Sequence, residues 1–255
     1  MYLSREDEAM LKGEMGLALQ KAMEFLVKLG DAYEAKDMVR VSSCHTVSCV
    51  YNVVYEAGIE VAEKLLSMGA RFQVPTTLCT ASVPMKDAEV FGFPDDWIKA
   101  QQRLRELYKA MGAIDNWTCI PYWNINVPRF GEHVAWGESN CVSYANSVIG
   151  ARTNRYSSYM EVCAAIAGRV PRIGLHLAEN RKGHTLVKLR GLKHDKLTDM
   201  DYGLLGYAVG LAVKGQIPVV EGIPSSVSKR QLRSMGAAAA SSGAVALYQA
   251  LGVTP

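Results

Sequence analysis

The strongest constraint on the fold is that short apolar runs typical of strands alternate along this chain with longer apolar repeats at helical spacing. The first helical repeat ends at Gly30, and the strand-like stretch DMVRVSS follows it. The order recurs, with one helix predicted over about Glu56 to Met68 and another from Asp95 to Gly112. Strands and helices in alternation predict a layered α/β fold. The apolar positions of the first repeat are Leu17, Ala18, Ala22, Phe25, Leu26 and Leu29.

Capping patterns predict where several helices begin. Ser4 with Asp7 three residues later resembles a capping box, and Thr198 with Asp201 opens a helix to about Val213 in the same way. A break near Gly13 divides the N-terminal helical region into two helices. Two further helices are predicted over residues 139–150, with Glu138 just before the first turn, and about 228–235.

The remaining strand predictions follow from apolar and alternating runs. A hairpin is predicted around residues 180–183 within 172–190. The chain also ends in an apolar strand-like run, GAAAASSGAVALYQALGVTP, which we expect to need neighbours on both faces. The other predicted strands are ARFQV, WTCIPYW and QIPVVEG.

Composition excludes several classes of protein. The 255 residues are 49% hydrophobic, enough for a substantial core, yet no window offers the roughly 18 uninterrupted apolar residues of a membrane helix. The net charge of +3 is interspersed, so we expect neither a nucleic-acid partner nor a membrane. Six cysteines without a CxxC pair favour reduced thiols and a cytoplasmic location. Signature motifs of nucleotide-binding proteins, serine hydrolases and zinc proteases are absent.

The residues alone leave the chemistry open. Cys119 in TCIPYW is either a packing sulfur or a metal ligand. Cys44, His45 and Cys49 lie in a polar turn after a predicted strand, where α/β proteins place ligand-binding groups, but their spacing matches no standard zinc site. The adjacent carboxylate and imidazole at positions 132 and 133 are either a proton-transfer pair or a surface pair.

Five segments together resemble the aconitase X family: PRFGEHVAWGESN, YANSVIGARTNR, AAIAGRVP, GLHLAENRKG and SSGAVALYQALGVTP. The resemblance runs from Met1 to Pro255 and identifies the chain as the N-terminal part of the family's large-subunit domain, with two α/β lobes expected at about 1–115 and 116–255. It implies an aconitase-like layered α/β/α fold with mixed sheets. It also implies an iron-sulfur hydro-lyase acting on a small hydroxy acid, such as cis-3-hydroxyproline or 5-phosphomevalonate.

The resemblance assigns roles residue by residue. Cys119, in the family's TCxPY motif, is implied to be one of three cysteines that hold a 2Fe-2S or 4Fe-4S cluster. At Cys79 the family usually has asparagine. The turn containing His45 resembles the hydroxyproline branch in its HxxSCxY form. The residues implied to bind substrate are Ser48, Cys49, Val50, Cys79, Thr80, Glu138 and Ser139.

The resemblance also implies partners. The other two cluster cysteines are expected beyond Pro255, in a remaining large-subunit segment. A small swivelling subunit or domain is expected to supply the catalytic base, so no base is assigned in this chain. Activity is therefore expected only together with both. The competing hypothesis is a non-catalytic binding or scaffold subunit that keeps the fold without a cluster.

Overall fold

Hydrogen bonds within their first turns explain where three helices begin. In the computed structural model, which describes residues 1–192 and 196–255, the hydroxyl of Ser4 accepts a hydrogen bond from the amide of Asp7. The carboxylate of Asp7 in turn accepts from the amide of Ser4 at 2.9 Å. Such reciprocal boxes satisfy amides that have no partner within the helix. The same arrangement opens the helices that follow Thr198 and Ser228.

Eight helices and eight strands lie in the described ranges. The helices are α1 (Arg5–Leu11), α2 (Leu17–Ala32), α3 (Tyr51–Ser67), α4 (Asp95–Ala110), α5 (Ser139–Tyr144), α6 (Ser158–Ala167), α7 (Asp199–Val213) and α8 (Lys229–Gly243). The strands are β1 (Met38–Arg40), β2 (Cys44–Thr46), β3 (Thr76–Leu78), β4 (Ala135–Trp136), β5 (Arg169–Pro171), β6 (Thr185–Lys188), β7 (Pro218–Glu221) and β8 (Gln249–Ala250). Single-turn 3-10 helices span Pro121–Trp123, Gly174–His176 and Ala178–Arg181, and a π-helical stretch, Ala145–Ile149, continues α5.

The first of two structural units comprises Met1–Asn126, Ala135–Gly137 and Tyr156–Ile173. Its three-stranded sheet has the order β3-β2-β4 and is entirely parallel, and β1 pairs antiparallel with β5. Because parallel strands end at the same edge of a sheet, the turns that follow β2 and β3 lie side by side. The core of this unit contains completely buried side chains from several helices and from β4, among them Met23, Leu26, Leu104, Trp136 and Ile166.

The second unit comprises Val127–Val134, Glu138–Arg155 and Gly174–Pro255. Its sheet is parallel with the order β6-β7-β8, and α7 and α8 pack on each other. Glycines allow the two helix backbones to approach closely, since a Cβ at Gly206 would lie 2.0 Å from the carbonyl oxygen of Met235. Tyr202, Met235 and Tyr248 fill the core of this unit.

The helix predictions are largely confirmed. The N-terminal pair, the helix after Thr198, and the helix after Glu138 with its left-handed end at Gly150 all lie where the sequence places them. The helix predicted from about Glu56 begins earlier, but Tyr55 has non-helical backbone angles, so its regular part matches the prediction. The last helix is longer than predicted and continues to Gly243.

Three strand predictions are wrong. ARFQV is irregular, and the strand lies just after it at Thr76–Leu78. WTCIPYW is irregular chain leading into the 3-10 turn at Pro121–Trp123. Instead of a hairpin over 172–190, the structure has two 3-10 turns and β6, which pairs in parallel with β7. A strand depends on a distant partner, so a short apolar run does not fix its place.

The predicted α/β fold with mixed sheets is confirmed, because parallel and antiparallel pairs both occur. The strands at DMVRVSS and QIPVVEG are present as β1 and β7, whereas the final apolar run is helical at first and forms only the short strand β8. The predicted lobes at about 1–115 and 116–255 stay a prediction.

Within the described part of the chain, no helix combines the length and apolar character needed to cross a membrane. The cytoplasmic location also stays a prediction.

Candidate functional site

The turn after β2 carries the first group of predicted substrate-binding residues, Ser48, Cys49 and Val50. All three are buried. The amide of Ser48 donates to the Thr46 hydroxyl at 3.0 Å, and the Cys49 thiol donates to the Thr46 carbonyl at 3.4 Å. Burial raises the pKa of the Cys49 thiol well above its usual value, so this sulfur is a neutral thiol.

A buried carboxylate on α6 accepts a hydrogen bond from the turn after β2 and so stabilises it. Glu161 is fully buried, and its Oε2 accepts a hydrogen bond from the amide of Val47 at 2.7 Å. The hydroxyl of Ser48 donates to the carbonyl of Ser158, one turn earlier on the same helix. A Cβ at Gly137 would lie only 1.4 Å from Glu161 Oε1, so the carboxylate requires glycine there. No sequence motif identified Glu161, although a single acid in the apolar stretch MEVCAAIA was a usable signal.

The segment after β3 brings two cysteines together. Cys79 Sγ and Cys119 Sγ are 3.3 Å apart, and Thr80 Oγ1 lies 3.1 Å from Cys119 Sγ. The amide of Thr118 donates to the Leu78 carbonyl at 3.1 Å, which aligns Cys119 beside the end of β3. Cys79 is buried, Cys119 is half-buried and Thr80 is exposed. Cys119 is therefore a partly accessible thiol beside two other predicted site residues.

An open cavity of about 480 Å³ lies next to this thiol pair. It is lined by residues 80–87 and Trp117, and it therefore includes Thr80 and the cation Lys86. No motif in the sequence marks Lys86. The wall also contains the carboxylate of Asp87 and the hydroxyl of Ser82, so a bound anion would pair with Lys86 and be hydrogen-bonded by hydroxyls beside one negative charge.

His45, on β2 just before this turn, is a neutral imidazole. It is fully buried, and its Nδ1 is 2.9 Å from Thr77 Oγ1. Burial lowers the pKa of His45 to about 3. Its ring also contacts Trp136 edge to face, with ring centroids 6.2 Å apart. Cys44 is buried and donates to the Glu161 carbonyl at 3.3 Å, so neither residue is arranged as a zinc ligand.

Glu138 and Ser139 belong to the second unit. The carboxylate of Glu138 accepts hydrogen bonds from the amides of Asn140, at 3.1 Å, and Cys141, at 2.8 Å. Glu138 therefore caps α5, and its carboxylate occupies the amides at the helix start. Ser139 Oγ donates to the same carboxylate at 3.4 Å. Their role in substrate binding stays a prediction.

The side chains of Glu132 and His133, which are adjacent in sequence, contact different residues. Glu132 Oε2 accepts from the amide of Arg129 at 2.9 Å, whereas His133 Nδ1 lies 2.8 Å from Nδ1 of His176. Burial, followed by the charges of His133, Arg152 and Arg181, lowers the pKa of His176 to about 3. A neutral His176 imidazole therefore lies against the ring of His133 in this part of the second unit.

No three histidine, cysteine, aspartate or glutamate side chains among residues 1–192 and 196–255 converge on a common metal position. Cys119 is half-buried, whereas the other five cysteines of the chain are buried. A cysteine thiolate is the usual protein ligand of an iron-sulfur cluster.

Comparison with known proteins decides the family. A family model described as the aconitase X first domain matches residues 1–179, and a second, described as the aconitase X second domain, matches residues 183–255. The chain belongs to the aconitase X family. The resemblance inferred from the sequence motifs is thereby confirmed.

Two curated relatives and one solved structure are similar to this aconitase X chain over nearly all of its length. The phosphomevalonate dehydratase large subunit of Methanothermobacter thermautotrophicus is 43% identical over 257 residues, covering 100% of this chain and 63% of the relative. The cis-3-hydroxy-L-proline dehydratase of Pseudomonas aeruginosa is 37% identical over 250 residues, covering 98% and 42%. The holo-form crystal structure of aconitase X from Thermococcus kodakaraensis matches with a TM-score of 0.91 and 40% identity, covering 100% of this chain and 63% of that one. The aconitase-like fold is thereby confirmed, and this chain spans less than two thirds of the length of these relatives.

Proposed function

We propose that this chain is the N-terminal portion of an aconitase X hydro-lyase that dehydrates a small hydroxy carboxylic acid. The family match supports the proposal, as do the relatives named phosphomevalonate dehydratase and cis-3-hydroxy-L-proline dehydratase. The observation that carries it is the half-buried thiol of Cys119 beside the end of β3, next to a cavity that contains a lysine. The candidate substrates are cis-3-hydroxyproline and 5-phosphomevalonate.

The proposed cofactor is an iron-sulfur cluster with Cys119 as one ligand. The donor chemistry of the site fits, because a partly accessible thiol can present its sulfur to a group outside this chain. The Thr80 hydroxyl lies 3.1 Å from that sulfur and can donate a hydrogen bond to it. Cys49 does not fit as a ligand, since burial keeps it protonated. When bound, the cluster supplies a Lewis-acidic iron for the departing hydroxyl.

The residues of this chain are proposed to bind and orient the substrate. Lys86 in the cavity wall pairs with a carboxylate or phosphate, and Thr80 bonds to a substrate oxygen. Ser48, Cys49 and Val50 shape the neighbouring turn, which Glu161 holds in place. The predicted contacts of Cys79, Glu138 and Ser139 with substrate belong to the same proposal.

The complete enzyme is proposed to need two partners. Because the compared relatives are longer than this chain, we propose that a further large-subunit segment supplies the other two cysteine ligands of a 2Fe-2S or 4Fe-4S cluster. The Methanothermobacter thermautotrophicus relative is called a large subunit, which supports a small partner subunit, and we propose that this partner supplies the catalytic base. The two-lobe division of residues 1–115 and 116–255 is proposed within this larger protein.

The ligand assignment is tested by co-expressing the chain with both partners and reconstituting it anaerobically with iron and sulfide. Cys119→Ser is expected to lose bound iron and dehydration of both candidate substrates. Cys141→Ala, which changes a buried cysteine in the second unit, is the control and is expected to keep both. Full iron content in Cys119→Ser would contradict the ligand assignment. Substrate binding by the reconstituted wild type without any dehydration would favour the scaffold hypothesis.

The substrate-binding role is tested with Lys86→Ala. Loss of the cation is expected to raise KM for either acid with little change in iron content. Lys99→Ala, at an exposed position on α4, is the matched control and is expected to leave KM unchanged. An unchanged KM in Lys86→Ala would refute the assigned role of this lysine.

A further inference from the structure

Cys79 and Cys119 are held close together by backbone hydrogen bonds between two extended segments. Residues 114–119 run beside β3, with Ile114 donating to the Thr76 carbonyl at 2.8 Å and Thr118 to the Leu78 carbonyl at 3.1 Å. Cys79 and Cys119 each directly follow one partner of the second of these hydrogen bonds, which places the two cysteines side by side.

The side chain of Asn116 fixes the same alignment. Its Oδ1 accepts from the amide of Leu78 at 2.9 Å, and its Nδ2 donates to the Leu78 carbonyl at 3.4 Å. The sulfurs, 3.3 Å apart, therefore need to approach by only about 1.3 Å to reach a disulfide bond length near 2.05 Å.

The two thiols differ in solvent accessibility, as a redox-sensing cysteine and the second cysteine that forms a disulfide with it should. Cys119 is half-buried and reachable from solvent, whereas Cys79 is 6% exposed. An oxidant therefore reaches Cys119 first, and Cys79 is placed to react second.

We propose that Cys79 and Cys119 form a reversible disulfide when the chain meets a hydroperoxide. The Cys119 thiolate attacks one peroxide oxygen, the O–O bond breaks, and Cys119 becomes a sulfenic acid while hydroxide leaves. The Cys79 thiol then attacks the Cys119 sulfur, the S–O bond breaks, and water leaves with the proton of the thiol. Both sulfurs are oxidised. Hydrogen peroxide yields two waters, because the leaving hydroxide takes up the proton that Cys119 lost on ionising, and an organic hydroperoxide would yield an alcohol and one water.

Cys49 and Cys163 differ from the Cys79–Cys119 pair because both are buried. Burial raises the pKa of Cys49, and its thiol donates to the Thr46 carbonyl. Burial also raises the pKa of Cys163, to about 12. Both therefore stay thiols at neutral pH and react slowly with peroxide.

The disulfide would have a consequence for the proposed cofactor. A sulfur bound in a disulfide is no longer a thiolate ligand, so oxidation withdraws Cys119 from cluster assembly. This consequence rests on the proposed function, whereas disulfide formation rests only on the geometry of the pair.

Disulfide formation is tested on the full chain with a small excess of hydrogen peroxide, followed by alkylation, digestion and mass spectrometry. A peptide pair joined through Cys79 and Cys119 is expected, and dithiothreitol should separate it. Cys79→Ser should instead accumulate a Cys119 sulfenic acid that a dimedone probe labels. Cys141→Ala is the control and should form the same linked pair as the wild type.

Two results would overturn the redox pair: a wild-type chain whose Cys119 is oxidised to sulfenic acid without joining Cys79, or one in which neither sulfur reacts. The consequence for the cofactor is measured separately, as iron uptake by the oxidised chain co-expressed with its partners. Uptake is expected to be lost and to return after reduction. A disulfide that leaves iron uptake intact would refute the ligand role of Cys119 while the redox pair stands.

Discussion

The close contact between α7 and α8 makes Gly206 intolerant of even one methyl group. A Cβ at this position would lie 2.0 Å from the Met235 carbonyl oxygen. Carbon and carbonyl oxygen normally approach to about 3.3 Å, so Gly206→Ala must push the helices apart by roughly 1.3 Å. Because the obstacle is backbone, no side-chain rotation relieves the overlap, and we expect a cost near 3 kcal/mol or above.

Gly203 provides the matched control on the same helix. No heavy atom lies within 4 Å of a Cβ built there, so Gly203→Ala should gain about 0.5–1 kcal/mol from helix propensity alone. The same propensity gain offsets part of the loss in Gly206→Ala, which leaves a net loss of about 2 kcal/mol. The two variants should therefore differ by about 3 kcal/mol, or roughly 6–12 °C in Tm for a chain of this length.

The assay is urea unfolding followed by circular dichroism, with calorimetry for Tm. A shifted urea midpoint with an unchanged denaturant slope would show that stability has changed while the surface exposed on unfolding has not. A Gly206→Ala variant that melts within about 2 °C of Gly203→Ala would refute the argument that backbone contact limits this position.

Three further predictions concern charge and packing. His176 is neutral in the folded state, because burial first and neighbouring charges second lower its pKa to about 3. The folded state therefore binds fewer protons than the unfolded state, and the free energy of unfolding should fall by up to about 1.4 kcal/mol per pH unit as pH drops from 6.5 toward 3. Urea midpoints measured across this range should show the fall, and His176→Gln should flatten it. Asp7→Ala should cost about 3 kcal/mol in the free energy of unfolding, because it removes the capping box of α1 and leaves Arg169, only 7% exposed, with the half-exposed Glu6 as its remaining carboxylate. A loss below about 1 kcal/mol in denaturant titration would contradict this. Gly137→Ala should displace the Glu161 carboxylate and lower the free energy of unfolding by about 2–3 kcal/mol. The amide of Val47, which donates to this carboxylate, should then lose its protection from hydrogen exchange, and unchanged protection would refute the contact.

The helices were predictable because their determinants lie within a few residues of each other. Ser4 and Asp7 are three positions apart, and each bonds to the backbone of the other. Glu138 likewise caps a helix that ends at a left-handed glycine, Gly150, within the same short segment. Such contacts form in almost any tertiary setting, so the sequence pattern specifies them directly.

The strands were less predictable because their partners are distant in sequence. β6 pairs in parallel with β7, more than 30 residues away, so local alternation wrongly suggested a hairpin. WTCIPYW contains β-prone residues, yet its N-terminal part follows the edge of β3 without forming a regular strand. Pairing energy comes from the neighbouring strand, and a short run does not contain that information.

The sequence by itself determined the family and most of the helices, and it predicted Cys119 as a candidate metal ligand. Only the tertiary structure decided what Cys119 meets: Cys79, forty residues earlier, and the hydroxyl of Thr80. It also decided that Glu161 supports the turn after β2 from a helix more than 100 residues away. The physical reason is that motifs record residue types, whereas a thiol pair or a buried carboxylate exists only after distant segments have packed together.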